Sequence, residues 1–435
     1  MSRRNLRSFS FLVFAFLLAS SFIGCGDQGS SSGTTPTPPV SWRGTQQFGT
    51  PFNDIGQAIA QDSSANIYIT GSTGGNLDGN TSAGQLDIFL TKFDSTGNKL
   101  FTQQIGTPFN DIGYAVAVDG SGNVYITGST GGSLPGYTSA GQLDVFLAKF
   151  NPSGNLLSIQ QFGTPFNDIG YGIALDASGN VFITGSTNGN LGSTSAGQSD
   201  VFLAKIDPLG ILTFRQFGTP FNDIGYGIAL DSSGNVFITG STLGNLGGTS
   251  SGQQDVFLAK IDPSGIITLL QFGTPFNDSG NAVALDGGGN VYITGTTGGN
   301  LDGNTSLGRS DAFLTKFDPN GIKLFTRQLG TTGDDIGYGL AVDSSGNVYI
   351  TGSAGGIAGT SVFSEIFLAK LDSSGILLFL QLLGTPFIDI GYGVALDSSA
   401  NAFITGSTEG NLDGNISAGL SDIFLAKFNS SGVKQ

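Results

Sequence analysis

Seven aspartates are the residues whose repetition first suggests chemistry, because they recur every 54 to 57 residues in the segment TPFND or a variant of it. They are Asp54, Asp111, Asp168, Asp223, Asp278, Asp335 and Asp389. If the repeats surround an axis, these carboxylates form a ring at one mouth of a central channel, where they could bind a cation or a basic partner. Alternatively, each aspartate accepts backbone N–H groups within its own loop. The second interpretation is favoured, since binding sites on a pseudosymmetric ring usually break the symmetry.

A second set of carboxylates lies in the longer loops of three repeats. These loops carry Asn, Asp, Asn and Asp at offsets 1, 3, 5 and 12, a spacing similar to that of an EF-hand calcium loop. The aspartates are Asp78, Asp87, Asp302, Asp311, Asp413 and Asp422. An EF-hand also has flanking helices and a glycine at offset 6, and both are missing here. An ordinary Gly/Asn turn is therefore favoured, with calcium as the alternative, and no cofactor is otherwise expected.

Composition excludes several kinds of catalytic site. The chain has no histidine and a single cysteine, Cys25, so it cannot build a Ser/His/Asp triad, a Cys/His nucleophile or a His- or Cys-ligated zinc site. No single repeat carries an acid/base pair that the others lack. The protein is therefore predicted not to be an enzyme, and a glycan-acting hydrolase that uses two channel carboxylates remains the alternative.

Seven lysines also recur, one in each FLAK or FLTK segment. They are Lys92, Lys149, Lys205, Lys260, Lys316, Lys370 and Lys427. Their segments are apolar on both faces, so each lysine should lie between two packed sheets. An unpaired lysine there would be costly, and we predict that each one meets a carboxylate of its own blade or of the next.

Each repeat resolves into four predicted strands, A to D. In the third copy these are residues 169–175, 180–187, 200–206 and 211–217, separated by turns that begin with Asp and contain Gly. Strand A is rich in Gly and Ala, which suits the crowded innermost strand around an axis. Strands B and C are apolar on both faces, as expected for sheets stacked against one another.

The two ends of the repeat region complement one another. The last copy stops after strand C, and Ser41 to Phe48 (SWRGTQQF) aligns with strand D of the first full copy. A closed ring explains this offset, because the N-terminal strand then completes the last blade and leaves no unpaired edge at the seam. The prediction is an all-β, seven-bladed β-propeller of four-stranded antiparallel blades over residues 41–435, with the last blade closed by the N-terminal strand.

The segments DSSGNVFITGS and DVFLAKIDPSG resemble the bacterial β-propeller repeat called the SBBP repeat, and the resemblance covers nearly all of residues 41–435. Local departures are Glu365 in place of the strand-C Asp, Ala65 and Ala400 in place of a turn Gly, and 331–334 (TTGD) in place of TPFN. The resemblance implies a secreted or surface bacterial protein and no shared catalytic residues.

The sequence of the N-terminus predicts where in the cell the protein is located. Residues 1–24 have a basic start (Arg3, Arg4, Arg7) and an apolar stretch, which is typical of a secretory signal. The following Phe22-Ile23-Gly24-Cys25 looks like a bacterial lipobox, in which Cys25 is diacylated and becomes the mature N-terminus. Residues 25–40 then form the lipidated cysteine and a flexible Gly/Ser/Thr/Pro tether.

These features together predict a lipid-anchored protein of the bacterial cell envelope, with the outer membrane or cell surface favoured over the inner membrane. The disc is expected to act as a non-catalytic binding or scaffolding module, a monomer whose partner is a protein or a glycan. Its formal charge of −15 argues against nucleic acid as a partner. A calcium-stabilised adhesin is a further alternative. The TPFND loop and the loop between strands B and C of each repeat should lie on the same face of the disc, which is the expected contact surface.

Overall fold

The computed structural model describes residues 42–356 and 363–435, which form seven four-stranded antiparallel sheets. Each sheet is one blade, and the blades follow one another in chain order. This confirms the predicted seven-bladed β-propeller. The predicted signal segment 1–24, Cys25 and the tether 25–40 lie outside the described residues.

Blades 1 to 4 occupy the first part of the disc. Blade 1 comprises β2 (Asp54–Gln61), β3 (Ile67–Thr73), β4 (Asp87–Phe93) and β5 (Lys99–Ile105). Blade 2 comprises β6 (Asp111–Val118), β7 (Val124–Thr130), β8 (Asp144–Phe150) and β9 (Leu156–Phe162). Blade 3 comprises β10 (Asp168–Leu175), β11 (Val181–Thr187), β12 (Asp200–Ile206) and β13 (Leu212–Phe217). Blade 4 comprises β14 (Asp223–Leu230), β15 (Val236–Thr242), β16 (Asp255–Ile261) and β17 (Ile267–Phe272).

Blades 5 to 7 complete the disc. Blade 5 comprises β18 (Asp278–Leu285), β19 (Val291–Thr297), β20 (Asp311–Phe317) and β21 (Lys323–Leu329). Blade 6 comprises β22 (Ile336–Val342), β23 (Val348–Ala354), β24 (Glu365–Leu371) and β25 (Leu377–Leu383). Blade 7 comprises β26 (Asp389–Leu396), β27 (Ala402–Thr408), β28 (Asp422–Phe428) and the N-terminal β1 (Gln46–Phe48). Within residues 42–356 and 363–435, three short 3-10 turns lie in B–C loops, at Leu77–Gly79, Leu301–Gly303 and Leu412–Gly414.

The core lies between neighbouring blades rather than inside any one of them. At the junction of blades 2 and 3, for example, Leu147 of the first packs with Ile183 and Phe202 of the second, all at most 6% exposed. Seven such clusters occur in the described residues, one for each junction, including the junction of blade 7 with blade 1. Strands B and C are apolar on both faces because both faces meet a neighbouring sheet.

Strand A is the innermost strand, and close approach of backbones explains its glycines. A Cβ on Gly172 would lie 2.8 Å from the backbone oxygen of Tyr226 in the next blade, and one on Gly227 would lie 2.9 Å from the backbone nitrogen of Val283. A larger side chain at either position would push the blades apart. In blade 3 the pairing of strands A and B shifts between Gly170 and Gly172, which leaves Tyr171 as a β-bulge that turns toward the axis.

Both termini close the ring. Gln47 of β1 lies opposite Phe424 of β28, so the predicted antiparallel pairing of the N-terminal strand with strand C of the last blade is confirmed. The C-terminal tail returns along the same strand, and the backbone N–H of Gln435 donates to the carbonyl of Lys427 at 2.8 Å. The outer strand of blade 7 is therefore shared, with β1 at one end and the tail at the other.

The disc has two different ends, which we name by their loops. The loop face carries the D–A loops (49–53, 106–110, 163–167, 218–222, 273–277, 330–334 and 384–388) together with the B–C loops. The turn face carries the tight A–B and C–D turns. Neighbouring blades interlock on the loop face, because the N–H of Asp111 in blade 2 donates to the carbonyl of Leu86 in blade 1 at 2.8 Å. Within residues 42–356 and 363–435, no helix is long and apolar enough to span a bilayer.

Candidate binding face

The seven repeated aspartates lie inside the D–A loops instead of at the surface of the channel. Each is at most 2% exposed. In blade 2, Asp111 accepts the N–H of Thr107 at 2.5 Å and its hydroxyl at 2.8 Å, while the Thr130 hydroxyl donates to the other carboxylate oxygen at 2.5 Å. The idea of a ring of open carboxylates at the channel mouth is therefore wrong. One carboxylate oxygen of each aspartate holds its loop through the N–H and hydroxyl of a threonine, whereas the other oxygen of Asp168, Asp223 and Asp278 is buried without a hydrogen-bond partner.

Burial has an electrostatic consequence for these carboxyls. Loss of hydration raises the pKa of all seven above the usual value of an aspartate, although hydrogen bonds from threonines oppose the shift. The negative charge of Asp87, in strand C of the preceding blade, adds to the raised pKa of Asp111. The two carboxylates meet at the D–A loop between the blades. Asp87 lies beside Gly106, and Asp111 accepts the N–H of Thr107.

The six calcium candidates have other partners. Asp78 and Asp302 form ion pairs with Lys99 and Lys323, at 2.7 and 2.8 Å, and Asp413 pairs with Lys434. Asp87, Asp311 and Asp422 are buried and accept side-chain amide hydrogens of strand-D or N-terminal glutamines at 2.7 to 2.8 Å. No group of three or more acidic, histidine or cysteine side chains placed to hold a metal occurs in the part of the chain that the structure describes. Three of the six also keep a buried carboxylate oxygen without a hydrogen-bond partner, Oδ1 of Asp87, Asp311 and Asp422, and calcium at these loops stays a prediction.

The strand-C lysines pair with aromatic rings and carbonyls more than with carboxylates. Lys92 Nζ lies 5.0 Å from the centroid of the Tyr68 ring, directly across the sheet, and donates to the Pro152 carbonyl of the next blade at 2.9 Å. All seven lysines lie over the aromatic ring at the same strand-B position. Of the seven strand-C lysines, only Lys370 forms an ion pair among the described residues, with the carboxylate of Asp343 at 3.9 Å. The predicted carboxylate partners are therefore wrong for the other six, and cation–π contacts replace them.

The channel wall carries tyrosines that the sequence reasoning passed over. The strand-A bulge position is Tyr in five blades, Gln57 in blade 1 and Asn281 in blade 5. The five are Tyr114, Tyr171, Tyr226, Tyr338 and Tyr392. Rings of neighbouring blades touch with centroids 5.1 to 5.2 Å apart, in one arc of three and one arc of two. The sequence does contain a signal for this position, because the tyrosine of IGYG is replaced in two of the seven copies.

Burial also changes how these tyrosines ionise. It raises the pKa of all five phenols, and that of Tyr392 to about 12. These five phenols are therefore neutral across the physiological range. The bulge positions offer aromatic rings, hydroxyls and the carboxamides of Gln57 and Asn281, and the Asn281 amide already bonds to Ser279 and to the carbonyl of Gly337.

The loop face carries a second set of aromatic side chains, the phenylalanines of five TPFN segments and of the TPFI segment in blade 7. They are Phe52, Phe109, Phe166, Phe221, Phe276 and Phe387. Each is 50 to 56% exposed, although phenylalanine is among the residue types most often buried. Blade 6 has Gly333 at this position. Repetition of a half-exposed phenylalanine on one face of the disc marks that face as the candidate binding surface.

In the six blades that have this phenylalanine, a chain of hydrogen bonds connects the buried D–A aspartate to the exposed phenylalanine of the same loop. In blade 1, Asp54 accepts the hydroxyl of Thr50 at 2.8 Å, and the same hydroxyl accepts the N–H of Phe52 at 3.3 Å. A Cβ on Gly75 of the B–C loop would lie 3.0 Å from Phe52 Cδ2, so this glycine leaves just enough room for the ring. The D–A and B–C loops thus hold the phenylalanine in place before any partner arrives.

A comparison with protein families matches the chain to the SBBP model, described as a β-propeller repeat. The match falls on seven segments, one for each repeat and together more than half of the chain. They are residues 44–78, 100–135, 159–192, 214–247, 269–302, 324–357 and 378–413.

Individual relatives are distant. Over 69% of its length the chain is 26% identical to the regulatory protein FlaEY of Caulobacter vibrioides, covering 36% of that protein. The chain spans about a third of the length of the curated relatives it matches. Among solved structures, the polysaccharide lyase Uly1 superposes with a TM-score of 0.51 at 12% identity, over 92% of this chain and 94% of that one. The extracellular domain of the one-component system BT4673 from B. thetaiotaomicron gives 0.45 at 15% identity, over 88% and 40%. At 12% identity the likeness to Uly1 shows the fold alone.

Proposed function

This chain belongs to the SBBP β-propeller repeat family, and from that premise we propose that it is a lipid-anchored protein of the bacterial cell envelope whose disc binds or scaffolds a partner without catalysing a reaction. The observation that carries the proposal is the ring of six half-exposed phenylalanines on the loop face. Exposed apolar side chains cost free energy in water, so their repetition on one face is best explained by a partner that covers them.

The proposed location in the cell envelope is supported by the sequence of the N-terminus. Cys25, after a basic and apolar leader, becomes the acylated residue, and residues 26–40 tether the disc to the outer membrane or cell surface. The acidic chain is proposed to be a monomer that does not bind nucleic acid.

The channel supports the non-catalytic proposal. In each of the seven blades, strand A carries no acidic residue after its first aspartate, which is buried and hydrogen-bonded in its loop. A glycoside hydrolase needs two carboxyl groups roughly 5 to 9.5 Å apart and facing the substrate. The wall of the axis instead presents tyrosine, glutamine and asparagine.

A pull-down from envelope extracts tests the proposal. The bait is residues 42–435, which hold all seven sheets. A loop-face variant carries Phe109→Ala, Phe166→Ala and Phe221→Ala. A matched turn-face variant removes three exposed apolar side chains, with Leu209→Ala, Ile266→Ala and Ile322→Ala. We expect the wild type and the turn-face variant to capture the same partner and the loop-face variant to lose it. Equal capture by all three proteins would refute a role for the loop face.

A further inference from the structure

We propose that the loop face of blades 1 to 5 binds a neutral polysaccharide, whose sugar rings stack on the phenylalanines and whose hydroxyls bond to the neighbouring asparagines. This inference rests on the proposed function and adds the chemical class of the partner. It follows from three features of the face: the pairing of aromatic and carboxamide groups, their separation from one another, and the small number of charged side chains around them.

Each of these five blades presents the same pair of side chains. The pairs are Phe52 with Asn53, Phe109 with Asn110, Phe166 with Asn167, Phe221 with Asn222, and Phe276 with Asn277. The backbone of Asn53 is used by the fold, since its carbonyl accepts the N–H of Gly74 at 2.9 Å. Among the described residues, however, none of the five asparagine side-chain amides forms a hydrogen bond, and each remains at least partly exposed. Each pair thus offers an apolar surface beside a free donor and acceptor.

The aromatic rings are separate from one another. Within the described chain no two of these five phenylalanine rings are in contact, and the only such contact on this face joins Phe363 to Phe387, 6.4 Å between centroids. Protein interfaces are built around a contiguous apolar centre with a polar rim. Isolated rings between Asn, Ser, Thr and Gly instead suit a ligand that alternates apolar and polar groups over a few ångströms. A sugar ring does this, with C–H groups on its faces and hydroxyls on its edge.

Charge selects the kind of polysaccharide. The B–C loops of blades 2, 3 and 4 (131–143, 188–199 and 243–254) contain no charged residue, and neither do the five GTPFN segments. In blades 1 and 5 the loop aspartates Asp78 and Asp302 are paired with Lys99 and Lys323, and the blade 5 loop also carries the exposed Arg309. The chain as a whole has a formal charge of −15, which disfavours an anionic polymer. An uncharged polymer meets no penalty on this surface.

Repetition around the disc favours a polymer over a single sugar. A chain with repeating units can occupy several pairs at once, and each further contact then forms at a high effective concentration. The buried aspartates and threonines hold the D–A loops rigidly, which lowers the entropy lost on binding. Blades 6 and 7 end the series, because they have Gly333-Asp334 and Phe387-Ile388 at these positions.

Native affinity electrophoresis tests the inference, with gels that contain laminarin, xylan or mannan as neutral polymers and alginate as an anionic one. We expect residues 42–435 to be retarded by at least one neutral polymer and not by alginate. Removing the rings of Phe109, Phe166 and Phe221 should weaken binding about tenfold or more, since a lost contact of about 1.4 kcal/mol is tenfold in affinity. Asn110→Ala, Asn167→Ala and Asn222→Ala together should weaken it several-fold. The turn-face variant should bind like the wild type.

The outcomes separate this inference from the proposed function. Absence of retardation in all neutral gels, or retardation by alginate alone, overturns the polysaccharide assignment. If the envelope pull-down still depends on the three phenylalanines in that case, the loop face binds a partner of another class and the proposed function stands. If the phenylalanine variant is retarded as strongly as the wild type, the aromatic face is not the binding site. Thermal melting of each variant excludes unfolding as the cause of a loss.

Discussion

At the scale of single residues, two alanines occupy positions that the other blades give to glycine. Ala65 and Ala400 have φ angles of 60° and 59°, whereas Gly179 occupies the same turn position in blade 3 with a φ of 82°. The left-handed region costs an L-residue such as alanine about 1 to 2 kcal/mol, a cost that glycine avoids. Glycine in turn loses more chain entropy on folding than alanine, which offsets about 0.5 to 1 kcal/mol of this difference. These two turns are therefore strained relative to their equivalents.

We predict that Ala65→Gly and Ala400→Gly each raise the free energy of unfolding by about 0.5 kcal/mol, because the gain in the left-handed turn exceeds the entropy lost. Chemical denaturation of residues 42–435 measures the change. Gly179→Ala is the matched control and should lower stability by about 1 kcal/mol. Glycine substitutions that destabilise the disc would contradict the account.

The buried D–A aspartates predict a dependence of stability on pH. Because burial raises their folded pKa above the 3.8 of the unfolded chain, the folded state binds more protons than the unfolded state between those two values. Their contribution to stability is complete below pH 3.8 and is lost as the pH rises through the folded pKa. At the turns, burial is outweighed by hydrogen bonds from residues such as Asn98, which lower the pKa of Asp94 to about 2. That contribution is present above pH 3.8 and lost as the pH falls toward 2.

The melting temperature should therefore fall below pH 3.8 as the turn aspartates become protonated, and it should also fall as the pH rises through the raised pKa values of the buried D–A aspartates. Asp168→Asn removes one of the seven titrating groups and should flatten this fall, whatever it does to stability at a single pH. Thermal unfolding followed by circular dichroism across the pH series provides the test. A melting temperature that climbs steadily to neutral pH, with no change of slope in the variant, would contradict the raised pKa values.

At the scale of elements, the strands could be predicted closely and the partners of their polar side chains could not. The predicted strands of the third repeat, such as 200–206 for β12, lie within one residue of those observed. Period and two-sided apolar character are local properties, so they can be read from the sequence. The partner of Lys92 depends instead on which carbonyl of the next blade lies near its ammonium group. The burial of Asp111 also depends on neighbouring segments, because it contacts the D–A loop before it and the B–C loops of blades 1 and 2.

Closure by β1 makes a prediction about this element. Residues 42–48 place Trp42 against Phe403, with ring centroids 5.5 Å apart, and Phe48 in the junction of blades 7 and 1. Deleting residues 41–48 should expose the edge of β28 and cost at least about 3 kcal/mol, the usual effect of removing large apolar side chains from a core. The deleted protein should aggregate, as seen by light scattering and gel filtration. Deletion of residues 26–33 serves as the control, and a monomeric, equally stable 41–48 deletion would contradict the closure.

At the scale of the whole molecule, near-identical blades make departures from symmetry informative. The tyrosines form arcs of three and two because blades 1 and 5 carry Gln57 and Asn281, and the aromatic–carboxamide pairs stop at blade 6. The uncharged B–C loops and the arc of three tyrosines both fall on blades 2 to 4. One sector of the disc thus combines a neutral loop face with an aromatic wall at the axis.

The membrane attachment is a prediction at the same scale. The acidic chain repels anionic lipid, so acyl chains on Cys25 should supply the attachment, at about 0.8 kcal/mol for each buried CH₂. Cys25→Ser in the full chain should abolish labelling by a fatty-acid analogue and release the protein from the membrane fraction of bacterial cells. Ser30→Ala in the tether is the control. Retention of the Cys25→Ser protein in membranes would show a different anchor.

Hydrogen–deuterium exchange of residues 42–435, with and without the captured partner, tests whether the loop face is the contact surface. If the loop face is the contact surface, the D–A loops 106–110, 163–167 and 218–222 and the B–C loops between them gain protection, while the A–B and C–D turns exchange as before. Protection confined to the turns of the opposite face, or to the outer strands, would place the partner elsewhere and contradict the central claim.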